Sequence, residues 1–285
     1  MEARSRSAGS TRRSPAGSWA CRPLEGSRLD LRSLPPETIV ARSALPRVLP
    51  GGKAAALLIH GFASTPRETE HLGESLQAAG LTVSIPRLPG HGTNGADFLQ
   101  TGWRDWLRRC VDEYLDLGAR HDPVSIVGFS MGGLLAILLA ARFPVKSLAL
   151  LAPPLRTRDP RLPFTPLLGL FIGRVRRGIV DEPPADAEEA LLLREYRGYR
   201  YPAQTAGILT LGRLARRALP RVSADTLTIV ARHDAYVPVS VIDHIEGKIA
   251  ARSKRHLVLE GGHRSLLEGS GKEQVRDEVV RWLVD

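Results

Sequence analysis

The chain reads as an α/β protein with a mostly parallel sheet flanked by helices, and three observations predict it. Apolar runs of strand length alternate with longer helical patterns from about residue 54 to the C-terminus, which is the order that builds parallel sheets. Glycines bracket a serine at one strand-to-helix junction, and other polar residues able to do chemistry follow strand ends, where open α/β sheets place their sites. At 285 residues and 43% hydrophobic content the chain can bury one sizeable core.

Ala54–His60 is apolar up to its last residue and predicts a buried strand. A helix over 67–79 and a strand over 81–85 come next. Trp103 and Trp106, three residues apart, share one face of a helix over 102–118, where core packing accounts for both. Val124–Gly128 forms a strand that runs directly into a helix over 131–142. That helix holds the longest apolar run, Leu134–Ala141, well short of the 18 or so residues a bilayer span requires. A strand over 146–151 precedes a change of pattern. The alternation resumes with a strand at 226–231, a helix at 239–250, a strand at 255–259 and a helix at 271–284.

The chemistry concentrates at three junctions. Gly128, Phe129, Ser130, Met131 and Gly132 form a Gly-x-Ser-x-Gly sequence between strand and helix, the sharp turn in which a serine becomes a nucleophile. Such a turn strains the serine backbone and exposes its hydroxyl, while the glycines keep neighbouring side chains away. Leu227–Asp234 is a β-branched strand ending in a loop with an acid, and Asp234 is the candidate to orient an imidazole. An Asx turn starting the next helix is the structural alternative for it. Asp225 precedes that strand and Asp243 lies within the following helix, so both fit less well. Arg255–His263 is a last strand followed by two glycines and a histidine, which predicts that His263 reaches over the sheet as the base. The chain order Ser, Asp, His is the one this constellation uses on α/β sheets. His60 and His91 are expected to brace loops, His256 to face solvent, and His244 to pack or lie exposed on its helix.

Charge is uneven. Of the net +10, residues 1–34 contribute seven Arg against three acids and residues 156–221 thirteen Arg against seven acids, so the remainder is balanced. The stretch 1–50 is rich in Ser, Arg, Pro and Gly without an apolar core of a secretory signal, and is expected to be a disordered basic tail. An organelle transit peptide or an over-extended start gives the same composition. The arginines Arg174, Arg176, Arg177, Arg213, Arg216 and Arg217 lack interleaved aromatics, which argues against nucleic acid. They form either a solvated surface or a rim that favours anionic lipid. Cys21 and Cys110 are too few for a disulfide framework, and a cytoplasmic location is expected. No metal-ligand spacing and no phosphate-binding loop stands out, so no cofactor is expected.

His60-Gly61-Phe62, Gly90-His91-Gly92, Gly128–Gly132, Ala231–Asp234 and Gly262-His263 together resemble the blocks of α/β-hydrolase carboxylesterases and bacterial monoacylglycerol lipases. The resemblance implies the α/β-hydrolase fold with a cap inserted after the sixth core strand. It divides the chain into a core of 51–152 and 222–285 and a cap of 153–221. It further implies an oxyanion hole from the backbone N–H groups of Phe62 and Met131, and serine esterase chemistry on monoacylglycerols or short-to-medium acyl esters. Thioesterase, C–C bond hydrolase and perhydrolase activities would use the same triad, and a non-catalytic binding protein on this scaffold is a further alternative. Dehalogenase and epoxide hydrolase chemistry is disfavoured because the elbow holds Ser130 rather than Asp.

Overall fold

A computed structural model of the chain describes residues 40–177 and 187–285. The tail expectation for 1–39 and the part of the cap at 178–186 lie outside the described residues. Seven strands form the main sheet: β1 (Arg47–Leu49), β2 (Ala55–Ile59), β3 (Thr82–Ile85), β4 (Val124–Phe129), β5 (Ser147–Leu151), β8 (Asp225–Ala231) and β9 (Lys254–Leu259). Two short strands, β6 (Val175–Arg176) and β7 (Tyr199–Arg200), pair antiparallel by themselves. The order across the sheet is β1-β3-β2-β4-β5-β8-β9. Every neighbouring pair is parallel except the edge strand β1, which runs antiparallel to β3 with Val48 opposite Ser84.

Parallel strands need helical crossovers, and these cover both faces. The strands β2, β4 and β5 are accordingly buried at every position. Helix α1 (Arg67–Ala78) turns Leu72 and Leu76 inward, and meets the C-terminal helix α9 (Lys272–Val284). Helices α3 (Trp103–Gly118) and α4 (Met131–Ala140) touch each other and β2. Helix α4 is buried at nearly every residue, which explains its apolar sequence: it is the central helix that follows the turn holding Ser130. Trp106 and Cys110 are fully buried on α3, and burial pushes the Cys110 thiol up.

Several elements differ from the sequence reading. Residues 47–49, assigned to the tail, form β1 in the sheet. The five-residue α2 (Gly95–Leu99) is started by Asn94, whose side chain accepts the Ala96 and Asp97 N–H groups. The helix expected over 239–250 contracts to α8 (Val241–Glu246), with Gly247 at its C-cap. The insertion leaves the sheet after β5, so five strands precede it among the described residues rather than six. It contains α5 (Thr165–Phe171), α6 (Ala187–Leu192), the β6–β7 pair and α7 (Pro202–Ala218). Helix α7 packs on α3 and α4, with Gly207 against Trp103.

Candidate active site

Ser130 sits at the end of β4 and caps α4 with φ 51° and ψ −119°. A non-glycine residue in that region is strained and must be held by its surroundings. The Ser130 N–H donates to the Leu151 carbonyl at 2.7 Å, which ties the turn to the neighbouring strand. A Cβ on Gly132 would stand 2.1 Å from the Ile59 carbonyl oxygen and one on Gly128 2.3 Å from that of Gly132. Glycine is therefore required by the close approach of β2, β4 and α4. The half-buried Ser130 opens into a cavity of about 100 Å³ that it shares with Phe62, Phe129, His263 and Glu68.

His263 reaches this cavity from the loop after β9, where Gly261 adopts φ 101°. Its Nδ1 lies 2.6 Å from Asp234 Oδ2. The Asp234 side chain is fully buried and that of His263 is 15% exposed. The two roles considered for Asp234 coexist: Oδ1 accepts the N–H groups of Tyr236 at 2.7 Å and Val237 at 3.0 Å, leaving Oδ2 for the imidazole. Burial works to raise the Asp234 carboxyl, but the His263 hydrogen bond and charge and the two backbone N–H groups outweigh it and hold it below the usual value. An ionised carboxylate only accepts, so Nδ1 carries a proton toward it, and in the neutral ring Nε2 is the nitrogen that keeps a lone pair. Phe129 and Tyr236 flank the ring, with centroids 4.9 and 5.6 Å away.

The loop after β2 carries Phe62, and α4 begins at Met131, whose N–H falls in the first turn, where backbone donors lack intrahelical acceptors. Fully buried His60 holds this loop. Its Nε2 accepts the Leu88 N–H at 3.3 Å, so Nδ1 carries the proton and donates to the Gly61 carbonyl at 2.9 Å. That carbonyl belongs to the peptide whose N–H is Phe62's, so His60 sets the plane of the donor. Burial, aided by the charges of Arg197 and Arg87 and opposed by the Gly61 bond, lowers the His60 pKa to about 4 and keeps the ring neutral. His91 is also buried, bonded to the Pro89 carbonyl at 3.0 Å and edge-on to Phe98 and Trp106.

Glu68 escaped the sequence reading. From the first turn of α1 its Oε2 accepts the Gly61 N–H at 2.8 Å, and it lines the cavity beside Ser130. Burial raises its pKa, with the Gly61 bond the strongest opposing effect. Its sequence signal, an acid early in a helix, is shared with Glu70 and so is uninformative. The competing residues lie elsewhere: Asp225 accepts the Ser253 N–H, Asp243 is exposed, and the exposed His256 bonds Glu246 at 2.5 Å. Among the described residues no helix is long and apolar enough to cross a membrane.

A parallel sheet with a strained serine after a central strand and a His–Asp pair on later loops defines the architecture of an α/β hydrolase. The chain belongs to the Alpha/beta hydrolase family, whose model matches residues 56–281. It is 38% identical over 105 residues to the thermostable monoacylglycerol lipase of Bacillus sp. (strain H-257), a match covering 37% of this chain and 42% of that protein. It is 24% identical over 241 residues to the carboxylesterase of Bacillus subtilis (strain 168), covering 84% and 95% of the two chains. A solved structure described with LipS and LipT, two metagenome-derived lipolytic enzymes, superimposes with a TM-score of 0.76 at 28% identity, covering 86% of this chain and 99% of that one.

Proposed function

We propose that this chain hydrolyses monoacylglycerols or short-to-medium acyl esters through an acyl-enzyme on Ser130. The coarser class, carboxylic ester hydrolase, is common to the named relatives above. One observation carries the finer reading: a buried carboxylate 2.6 Å from His263 Nδ1, with His263 and Ser130 lining one cavity. His263 Nε2 takes the hydroxyl proton as Ser130 Oγ adds to the ester carbonyl. The N–H groups of Phe62 and Met131 hold the resulting oxyanion; losing one such donor costs about 2.7–4 kcal/mol. The tetrahedral intermediate expels the alcohol, which takes the proton back from His263. Water, deprotonated by the same nitrogen, then adds to the acyl-enzyme and releases the acid with Ser130 restored. Asp234 stabilises the imidazolium formed in each step and remains ionised.

Residues 153–221 act in this reading as a cap over the site, on a core of 51–152 and 222–285. Leu167, Leu170 and Phe171 on α5 are exposed, and Arg174 and Arg176 follow them. This juxtaposition supports peripheral contact with an anionic lipid surface.

The test is direct. Purified protein is expected to react with a fluorophosphonate probe and to hydrolyse p-nitrophenyl butyrate, and Ser130→Ala is expected to lose both, with a rate loss of about a thousandfold or more. Unchanged hydrolysis by Ser130→Ala would overturn the mechanism. A monoacylglycerol chain-length series then separates lipase from general esterase, and thioester and diketone substrates test the neighbouring chemistries.

A further inference from the structure

A second cavity, of about 860 Å³, lies between the insertion and the loop leaving β5, and it shares no lining residue with the cavity at Ser130. Its volume falls in the range of small-molecule sites. Trp103, Pro163, Pro166, Ile208 and Leu209 give it apolar walls. Arg156, Arg213 and Arg216 also line it, and no Asp or Glu does.

The exposed Arg156 and Arg213 lie near enough for their charges to act on the half-buried Arg216. Arg216 Nη1 donates to the Leu155 carbonyl and Arg213 Nη2 to Thr210 Oγ1 at 3.3 Å, so both bind neutral acceptors. Among the described residues no carboxylate forms an ion pair with any of the three. Burial, and then the charges of Arg156 and Arg213, lower the Arg216 pKa. His244 on α8 is held below its ordinary value by burial and then by the charges of Lys248, Arg156 and Arg216, so the same positive field reaches the neighbouring element. Apolar walls favour a hydrocarbon, and unneutralised cations at the same cavity favour an anion. A ligand satisfying both is an anionic amphiphile.

We propose that this cavity binds a medium-chain fatty carboxylate, its alkyl chain against Trp103, Ile208 and Leu209 and its head on Arg156, Arg213 and Arg216. Such an acid is the product class of the ester hydrolysis proposed above. Only that link rests on the catalytic reading; the binding site stands on the cavity itself.

Calorimetric titration of the full chain with decanoate, below its micellar concentration, tests the site. Binding is expected with one equivalent in addition to any at the catalytic cavity, and it survives when Ser130 is blocked by a fluorophosphonate or replaced in Ser130→Ala. Decanol and inorganic sulfate should each bind at least about tenfold more weakly, and the double variant Arg156→Gln with Arg213→Gln should weaken decanoate about tenfold or more while keeping its thermal midpoint. Loss of all binding in both Ser130-modified forms would place the acid in the catalytic cavity and overturn the proposal. Equal affinity for decanol or for sulfate, or indifference to the double substitution, would overturn it as well. Should the probe fail to label Ser130 while Ser130→Ala still binds decanoate in an arginine-dependent way, the catalytic reading falls and the site stands.

Discussion

At Gly61 the backbone is held on both sides, its N–H by Glu68 Oε2 at 2.8 Å and its carbonyl by His60 Nδ1 at 2.9 Å. The next N–H is that of Phe62, so these bonds fix the direction in which the proposed oxyanion donor points. Glutamine at position 68 keeps an accepting oxygen, whereas alanine removes it. Glu68→Ala is therefore expected to lower kcat for p-nitrophenyl butyrate about 10- to 100-fold with KM within about threefold, less than outright loss of a donor. Glu68→Gln should recover most of the rate; equal damage from both substitutions would mean that charge, and not acceptance from Gly61, matters. Asp234→Asn tests the other buried carboxylate. An amide N–H facing His263 Nδ1 favours the wrong tautomer, and kcat should fall about 10⁴-fold, with the protein still folded by circular dichroism.

Elements meet closely where β2, β4 and α4 converge. A methyl on Gly132 would fall 2.1 Å from the Ile59 carbonyl oxygen and 2.8 Å from that of His60, and a carbonyl within a buried strand cannot rotate away as a side chain does. Overpacking commonly costs about 1–3 kcal/mol, and Gly132→Ala is expected at or above the top of that range in urea unfolding. The same convergence explains what the sequence disclosed. Largely apolar β2, β4 and β5 were legible because a doubly covered parallel strand has no solvated face, and Ser130, Asp234 and His263 stood out as punctuation after strands. The three-residue β1 and five-residue α2 are too short to show periodicity. Helix α8 was over-extended because Lys248 and Ile249 continue the pattern in a turn past Gly247. Glu68 was illegible for a different reason: only the fold brings the start of α1 against the loop after β2.

Over the whole molecule, the buried neutral histidines couple folding to acidity, and the proposed lipid contact would couple binding to salt. His60 titrates at about 4 in the folded chain against 6.5 unfolded. Between those values the unfolded chain binds the extra proton, so stability is full above pH 6.5 and declines as pH falls toward 4, by up to about 1.4 kcal/mol per unit for this one group. His91 is lowered in the same sense. Urea midpoints across that window should fall less steeply in His60→Asn than in the natural chain. The surface argument concerns α5. Leu170 and Phe171 are 76% and 81% exposed, Arg176 is exposed beyond them, and Arg174 lies over the Tyr199 ring at 4.4 Å. Insertion of the apolar pair gains area-dependent energy on any bilayer, while the arginines add attraction only where the surface is negative and salt is low. Phosphatidylglycerol vesicles should therefore bind the protein more tightly than phosphatidylcholine vesicles at low ionic strength, and the preference should fade as salt is raised. Leu170→Ser with Phe171→Ser should weaken binding to both, whereas Arg174→Gln with Arg176→Gln should weaken only the anionic case. Equal affinity for the two vesicle types at low salt would remove the electrostatic half of the argument and leave α5 a purely apolar contact.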